Sequence, residues 1–264
     1  MIRTYRAELT KLVRRKVLLL TGLVALLFGV GGSAIVLIAT EPATELGARF
    51  GGAPSIEDLA SAGGGSDIFR TAIPFAGIFV FVTFVGLIAV EFSRGTMRTM
   101  LLRQPNRLRL LAGKVAALLT FAAAAIAVTE IVSWLASRAL ASSADVDAGA
   151  WASLDGLGAA TADFGAVLLW ITGYALLATA LAVMVRSVPI ALAVGIAWFG
   201  PFEHLVQDAW TGANRVFPGL LLEAFAAGGT NEVTAARAFI TVATYAAVAA
   251  AVGAFTFSRR DVTA

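Results

Sequence analysis

Two places in this sequence put ionisable side chains inside long apolar runs. Glu130 stands within residues 115–137, and Glu203 with His204 follows Gly200-Pro201 within residues 187–207. An ionisable group in a membrane-compatible segment is costly to keep, so it tends to line a cavity or to reach an interface. For Glu130 both remain open. It lies 16 residues beyond Lys114, about 24 Å along a helix, where it would contact a cationic substrate in a transport pathway; Trp134, one turn on, would equally suit an interface. Glu203 and His204 read as a helix end whose side chains satisfy broken backbone groups. Other chemistry finds no apparatus. With one histidine and no cysteine, the chain offers no His/Cys metal site, no thiol nucleophile and no disulfide. It contains no HExxH and no GxSxG. Gly31-Gly32 and Gly63-Gly64-Gly65 lack the Lys that would complete a GxxxxGK[ST] phosphate loop. The expectation is therefore a protein that is not an enzyme and holds no metal or cofactor of its own.

The elements that position these residues follow from composition. Of 264 residues, 59% are hydrophobic and 14% charged, against roughly 45–50% and 25% in soluble domains. The mean hydropathy of +0.85 is too high for one soluble domain of this size to bury, and the opposite of what disorder requires. A hydrocarbon core ~30 Å thick is crossed by about 20 helical residues. Uninterrupted runs occupy residues 17–39, 71–90, 164–185 and 238–258, and the two interrupted runs at 115–137 and 187–207 bring the expected number of spans to six. Continuous rather than alternating apolarity excludes barrel strands. The first run is 23 residues long, beyond the roughly 7–15 of a signal-peptide core, so it is read as a retained helix. The expected fold is an all-α integral membrane protein, with residues 1–264 forming one transmembrane domain.

Charge sets the orientation. Of the 20 Lys and Arg residues, 15 fall before the first run, in residues 91–114, at Arg186 and at Arg259-Arg260. The positive-inside rule then places both termini in the cytoplasm. Net charge of +3 gives no reason to expect nucleic acid, since the basic residues sit where anionic lipid and cytoplasmic partners sit.

Between the runs, Ile2, Tyr5, Leu9 and Leu12 recur at helical spacing among Arg3, Arg6, Lys11, Arg14 and Arg15, the pattern of an interfacial amphipathic helix resting on lipid. Residues 91–114 read as helix, turn, helix: Met97, Met100 and Leu101 make a short stripe, Gln104-Pro105-Asn106 breaks it, and Leu108, Leu110 and Leu111 lead into the next run. Such a helix can lie on lipid or dock in a groove of a cytosolic partner. Residues 41–70 and 138–163 are expected to form outer loops or short surface helices. Gly200-Pro201 should break its helix, and Phe217-Pro218-Gly219 opens an apolar piece, residues 220–227, too short to cross. Gly29, Ser33, Ala123 and Ala127 permit close helix packing.

These pieces resemble the permease subunit of a type 2 ABC transporter. The resemblance rests on AELTKL (residues 7–12) in the N-terminal helix, and on E-x-x-x-G-T-x-x-x-x-L-L from Glu91 to Leu102, followed by Pro105, Arg107 and Gly113-Lys114. The short apolar piece is similar to that family's re-entrant outer segment. The resemblance implies an exporter in a bacterial plasma membrane. Two permease subunits, identical or paired with a related one, would pack about a pathway, and separate ATPase subunits would bind ATP and Mg. It also implies that Glu91, Arg94, Gly95, Thr96, Arg98, Leu101 and Leu102 form the coupling helix on which the ATPase docks, and that Ile2, Tyr5, Leu9 and Leu12 form the elbow. Apolar spans and small outer loops favour an amphipathic or hydrophobic cargo, moved by alternating access. The competing expectation is a non-transporting membrane scaffold that recruits a cytosolic partner through the same basic loop.

Overall fold

The computed structural model describes residues 1–40 and 54–260, and among these every regular element is helical. Helix α1 (Ile2–Leu12) precedes α2 (Arg15–Ala39); α3 (Ile56–Ala60), α4 (Gly64–Ala72) and α5 (Gly77–Ser93) follow. Next come α6 (Thr96–Arg103), α7 (Arg107–Leu140) and α8 (Leu154–Val185). Last are α9 (Val188–Ala197), α10 (Glu203–Ala209), α11 (Pro218–Ala226) and α12 (Ala235–Arg259). Among the described residues five helices are long and apolar enough to cross a membrane: α2, α7 with the short turn after it, α8, the run Val188–Ala209, and α12. A sixth is reached only if α4 and α5 are taken together.

Three expectations change in detail. Residues 71–90 are not one helix: the 3-10 turn Ile73–Ala76, containing Pro74, separates α4 from α5, because proline has no N–H to give the helical ladder. Gly200-Pro201 does not break its segment. A five-residue π-helix, Trp198–Phe202, carries Pro201 and leads directly into α10, the wider turn accommodating a residue that the α-helical pattern excludes. Residues 138–163 are more helical than expected, since α8 begins at Leu154. Of the outer segment 41–70, residues 41–53 lie outside those described.

The chain forms two compact units. One comprises Met1–Val13, Ala76–Phe121 and Trp170–Ala264, the other Arg14–Phe75 and Ala122–Leu169. In the first, α5 packs on α9 where Gly195 leaves space only for the Phe81 ring, and Phe199 and Trp170 both meet Tyr174 edge to face. Leu222 of α11 fills the gap over Gly173. Arg186, at φ 58°, and Ser187 alone separate α8 from α9. In the second unit Gly29 of α2 meets α7 so closely that an added Cβ would lie 2.7 Å from Val132 Cγ1, and the Ser33 and Ser133 hydroxyls hydrogen-bond at 2.8 Å. Small residues allow such approach, and paired hydroxyls join helices where water cannot. Trp151 is fully buried there, donating from Nε1 to the Leu59 carbonyl at 2.8 Å, in a core with Leu37, Ile68 and Val146.

Candidate functional site

The densest polar arrangement in the first unit lies where α1, the end of α5 and the start of α7 meet. Gly113 on α7 makes this possible: an added Cβ would stand 2.9 Å from the Met1 carbonyl oxygen and 3.0 Å from Thr4 Cβ, so only glycine lets α1 lie flat on α7. One residue on, Lys114 is buried with 3% of its side chain exposed. Its Nζ donates to Glu91 Oε1 at 2.5 Å and to Glu8 Oε2 at 3.0 Å. Lys11 donates to Glu8 Oε1 at 2.6 Å and stands 3.8 Å from Glu91 Oε1. A buried charge persists when it is paired and hydrogen-bonded, and here two ammonium groups face two carboxylates. For Glu8, burial pushes the carboxyl upward, but the hydrogen bonds and charges of Lys11 and Lys114 outweigh it and hold Glu8 below the ordinary carboxylate range. Tyr5 adds a hydroxyl contact to Thr120 on α7 at 3.3 Å. Glu91 Oε2 is buried without a hydrogen-bond partner among the described residues.

Helix α6 hangs from this cluster. At the end of α5 the Arg94 N–H closes on the Val90 carbonyl at 2.9 Å, and Gly95 turns the chain at φ 69° with its N–H on Phe92 O at 3.1 Å. This is the left-handed stop that glycine adopts without a Cβ penalty. Thr96 Oγ1 then donates to the Glu91 carbonyl at 3.3 Å. Met97 is buried and anchors the helix, Leu101 one turn on is half-buried, and Arg94, Thr96, Arg98 and Leu102 are exposed, Leu102 by 78%. Residues 98 and 102 share a helix face at i and i+4, so α6 presents a basic and apolar surface outward. Asn106 Oδ1 accepts from Arg109 N at 2.9 Å and caps the start of α7.

Two of the sequence assignments divide in the structure. Glu91 does not stand on the outward face with Arg98 and Leu102: it is turned inward onto Lys114. The elbow stripe is likewise divided. Ile2 is exposed and Leu9 half-buried, but Leu12 is buried in protein and Tyr5 half-buried against α7. The reason is Glu8, which lies on the same stripe between Tyr5 and Leu12 and is drawn inward by Lys114. Glu8 and Lys114 entered the sequence reading only as letters of the motifs that carry the resemblance, with no contact assigned to either. The available signal was a carboxylate at i+3 and i−4 from two residues of an apolar stripe.

The other candidates are not members of this cluster. Glu130 is half-buried on α7, with Oε1 lacking a hydrogen-bond partner among the described residues. Glu203 is fully buried and its Oε2 accepts from Leu220 N at 3.0 Å, in the first turn of α11. A carboxylate suits that position, where helix N–H groups are unsatisfied and the dipole is positive. Gly219 is needed beside it, since a Cβ there would collide with Glu203 Oε2. His204 Nε2 stands 3.4 Å from Glu223 Oε2, and its Nδ1 is 2.8 Å from the Gly200 carbonyl oxygen. Among the described residues no three His, Cys, Asp or Glu side chains group as they would around a metal.

Helices of this length and apolarity, joined by charged ends, define an all-α, multi-pass membrane protein. The chain belongs to the family described as "Protein of unknown function (DUF2705)", whose pattern matches residues 55–263. A comparison with curated proteins finds no match.

Proposed function

We propose that this chain is the permease subunit of a type 2 ABC exporter in a bacterial plasma membrane, with six spans and both termini in the cytoplasm. Separate ATPase subunits, which bind ATP and Mg, would dock on α6 as the coupling helix, and a second permease subunit would complete the pathway. The cargo is amphipathic or hydrophobic and moves by alternating access between inward-open and outward-open arrangements. One observation carries this reading: α6 is a separate two-turn helix, anchored inward by Met97 and open outward at Arg98 and Leu102. Its base is tied through Glu91 and Lys114 to α1 and α7. A push on α6 therefore reaches two further helices through buried, charge-assisted bonds rather than through a flexible loop. In this scheme α1 is the elbow, α11 the short re-entrant outer segment, and Glu130 a residue of the cargo pathway.

The test is purification of the tagged chain from its native host with measurement of ATP hydrolysis. Recovery of a P-loop ATPase with vanadate-sensitive activity, lost on Arg98→Glu or Gly95→Pro while the permease still inserts, supports the reading. Recovery alone, or with a protein that has no nucleotide site, rejects it in favour of a scaffold that uses the same exposed helix.

A further inference from the structure

An open groove of about 500 Å3 runs along the first unit, within the roughly 300–1,000 Å3 of ligand pockets. Its walls include Leu181 and Met184 of α8, Trp198 of the π-helix, and Tyr245, Ala249 and Val252 of α12. Apolar walls alone would not single it out, because lipid tails are as apolar as leucine. What distinguishes this groove is its end. Arg260 Nη1 donates to the carbonyl of the lining residue Met184 at 2.8 Å. Arg259 follows Val252 by seven residues, two turns further along the same face of α12, and its guanidinium lies 5.3 Å from the Phe255 ring centre. The Met184 end of the slot therefore meets the Arg260 guanidinium, and Arg259 lies about 10 Å beyond Val252 at ~1.5 Å per residue. Guanidinium forks match the geometry of phosphate oxygens, and a headgroup of net negative charge leaves that phosphate uncompensated, where a choline cation would compete with the arginines for it.

We propose that this groove holds one acyl chain of an anionic phospholipid, with its phosphate on Arg259 and Arg260. The lipid would belong to the leaflet in which α12 ends. The proposal stands independently of the transport reading, since a scaffold with this groove would bind the same lipid.

Trp198 is the reporter. The full chain is reconstituted in zwitterionic bilayers doped with either brominated phosphatidylglycerol or brominated phosphatidylcholine at equal mole fraction. Subtraction of the Trp198→Phe signal isolates quenching at the groove. The expected result is several-fold stronger quenching by the anionic lipid, reduced to the zwitterionic level by Arg259→Gln and abolished for both lipids by Ala249→Phe, which fills the slot. Added salt should weaken the preference in the unmodified protein, a readout that needs no variant. Equal quenching by the two lipids, or a preference that survives both salt and Arg259→Gln, overturns the proposal and leaves only ordinary boundary lipid. Failure of the ATPase purification would not bear on any of these outcomes.

Discussion

Among the described residues each of the two units holds a buried ion cluster, and the two are built on different terms. In the first unit Lys114 is enclosed, and both of its carboxylate partners, Glu8 and Glu91, are nearly enclosed with it. In the second, Asp163 accepts from Arg70 Nη1 at 3.0 Å and from the Ser66 hydroxyl at 2.7 Å, but the Arg70 side chain keeps 23% of its surface exposed. The contact distances are alike. What differs is the fate of the charge left behind when one partner is removed. Without Lys114 two enclosed carboxylates would be left to the half-exposed Lys11, which hydrogen-bonds Glu8 at 2.6 Å but stands 3.8 Å from Glu91, whereas Arg70 can turn outward. Distance alone is thus a poor guide to what an ion pair contributes, and the accessibility of the survivor decides.

Lys114→Met should produce the largest effect, a loss of about 3–5 kcal/mol typical of a broken buried pair, read as a fall in the detergent-solubilised unfolding midpoint. Adding Glu8→Gln and Glu91→Gln to that variant should restore most of it, because the charge then left there, on Lys11, has half of its side chain in contact with solvent. Asp163→Asn should cost less, about 1–3 kcal/mol for a disturbed hydrogen-bonded site; a loss equal to that of Lys114→Met would break the comparison. Acid should sharpen it. Glu8 is held below its ordinary value of 4.5, so its contribution is present in full above that value and disappears as pH falls through the lower folded value. The unfolding midpoint of the native chain should therefore approach that of Glu8→Gln in acid, the gap between them being constant at neutral pH. The smallest effect belongs to Ser55→Ala, which removes the reciprocal cap with Asp58 at the start of α3. Amide exchange in residues 56–60 should quicken there while the global midpoint stays in place.

Much of this architecture was legible in the sequence because it depends on local pattern. Long apolar runs marked α2, α8 and α12, and the helix, turn, helix pattern of residues 91–114 matches α6, the Gln104-Pro105-Asn106 break and α7. Glu8's place within an apolar stripe was visible, but that Glu91 and Glu8 turn inward onto one partner was not. It depends on Lys114, which lies 106 residues from Glu8 in the chain, and a spacing rule carries no information about a partner so distant. Pro201 misled for a related reason. A proline signals that the α-helical ladder cannot continue, and leaves undetermined whether the chain breaks or widens by one residue. Glu203 belongs to the same class, since its role in the first turn of α11 follows from packing across 17 residues.

The two-residue joint at Arg186-Ser187 also ties the fate of one helix end to the other. The three Cα steps from Val185 to Val188 reach at most about 11 Å when fully extended, and the left-handed turn at Arg186 shortens that reach. Neither helix can therefore change its depth or tilt at this end without carrying the other with it. Lengthening the joint by even a short flexible tag would free the two ends to move separately.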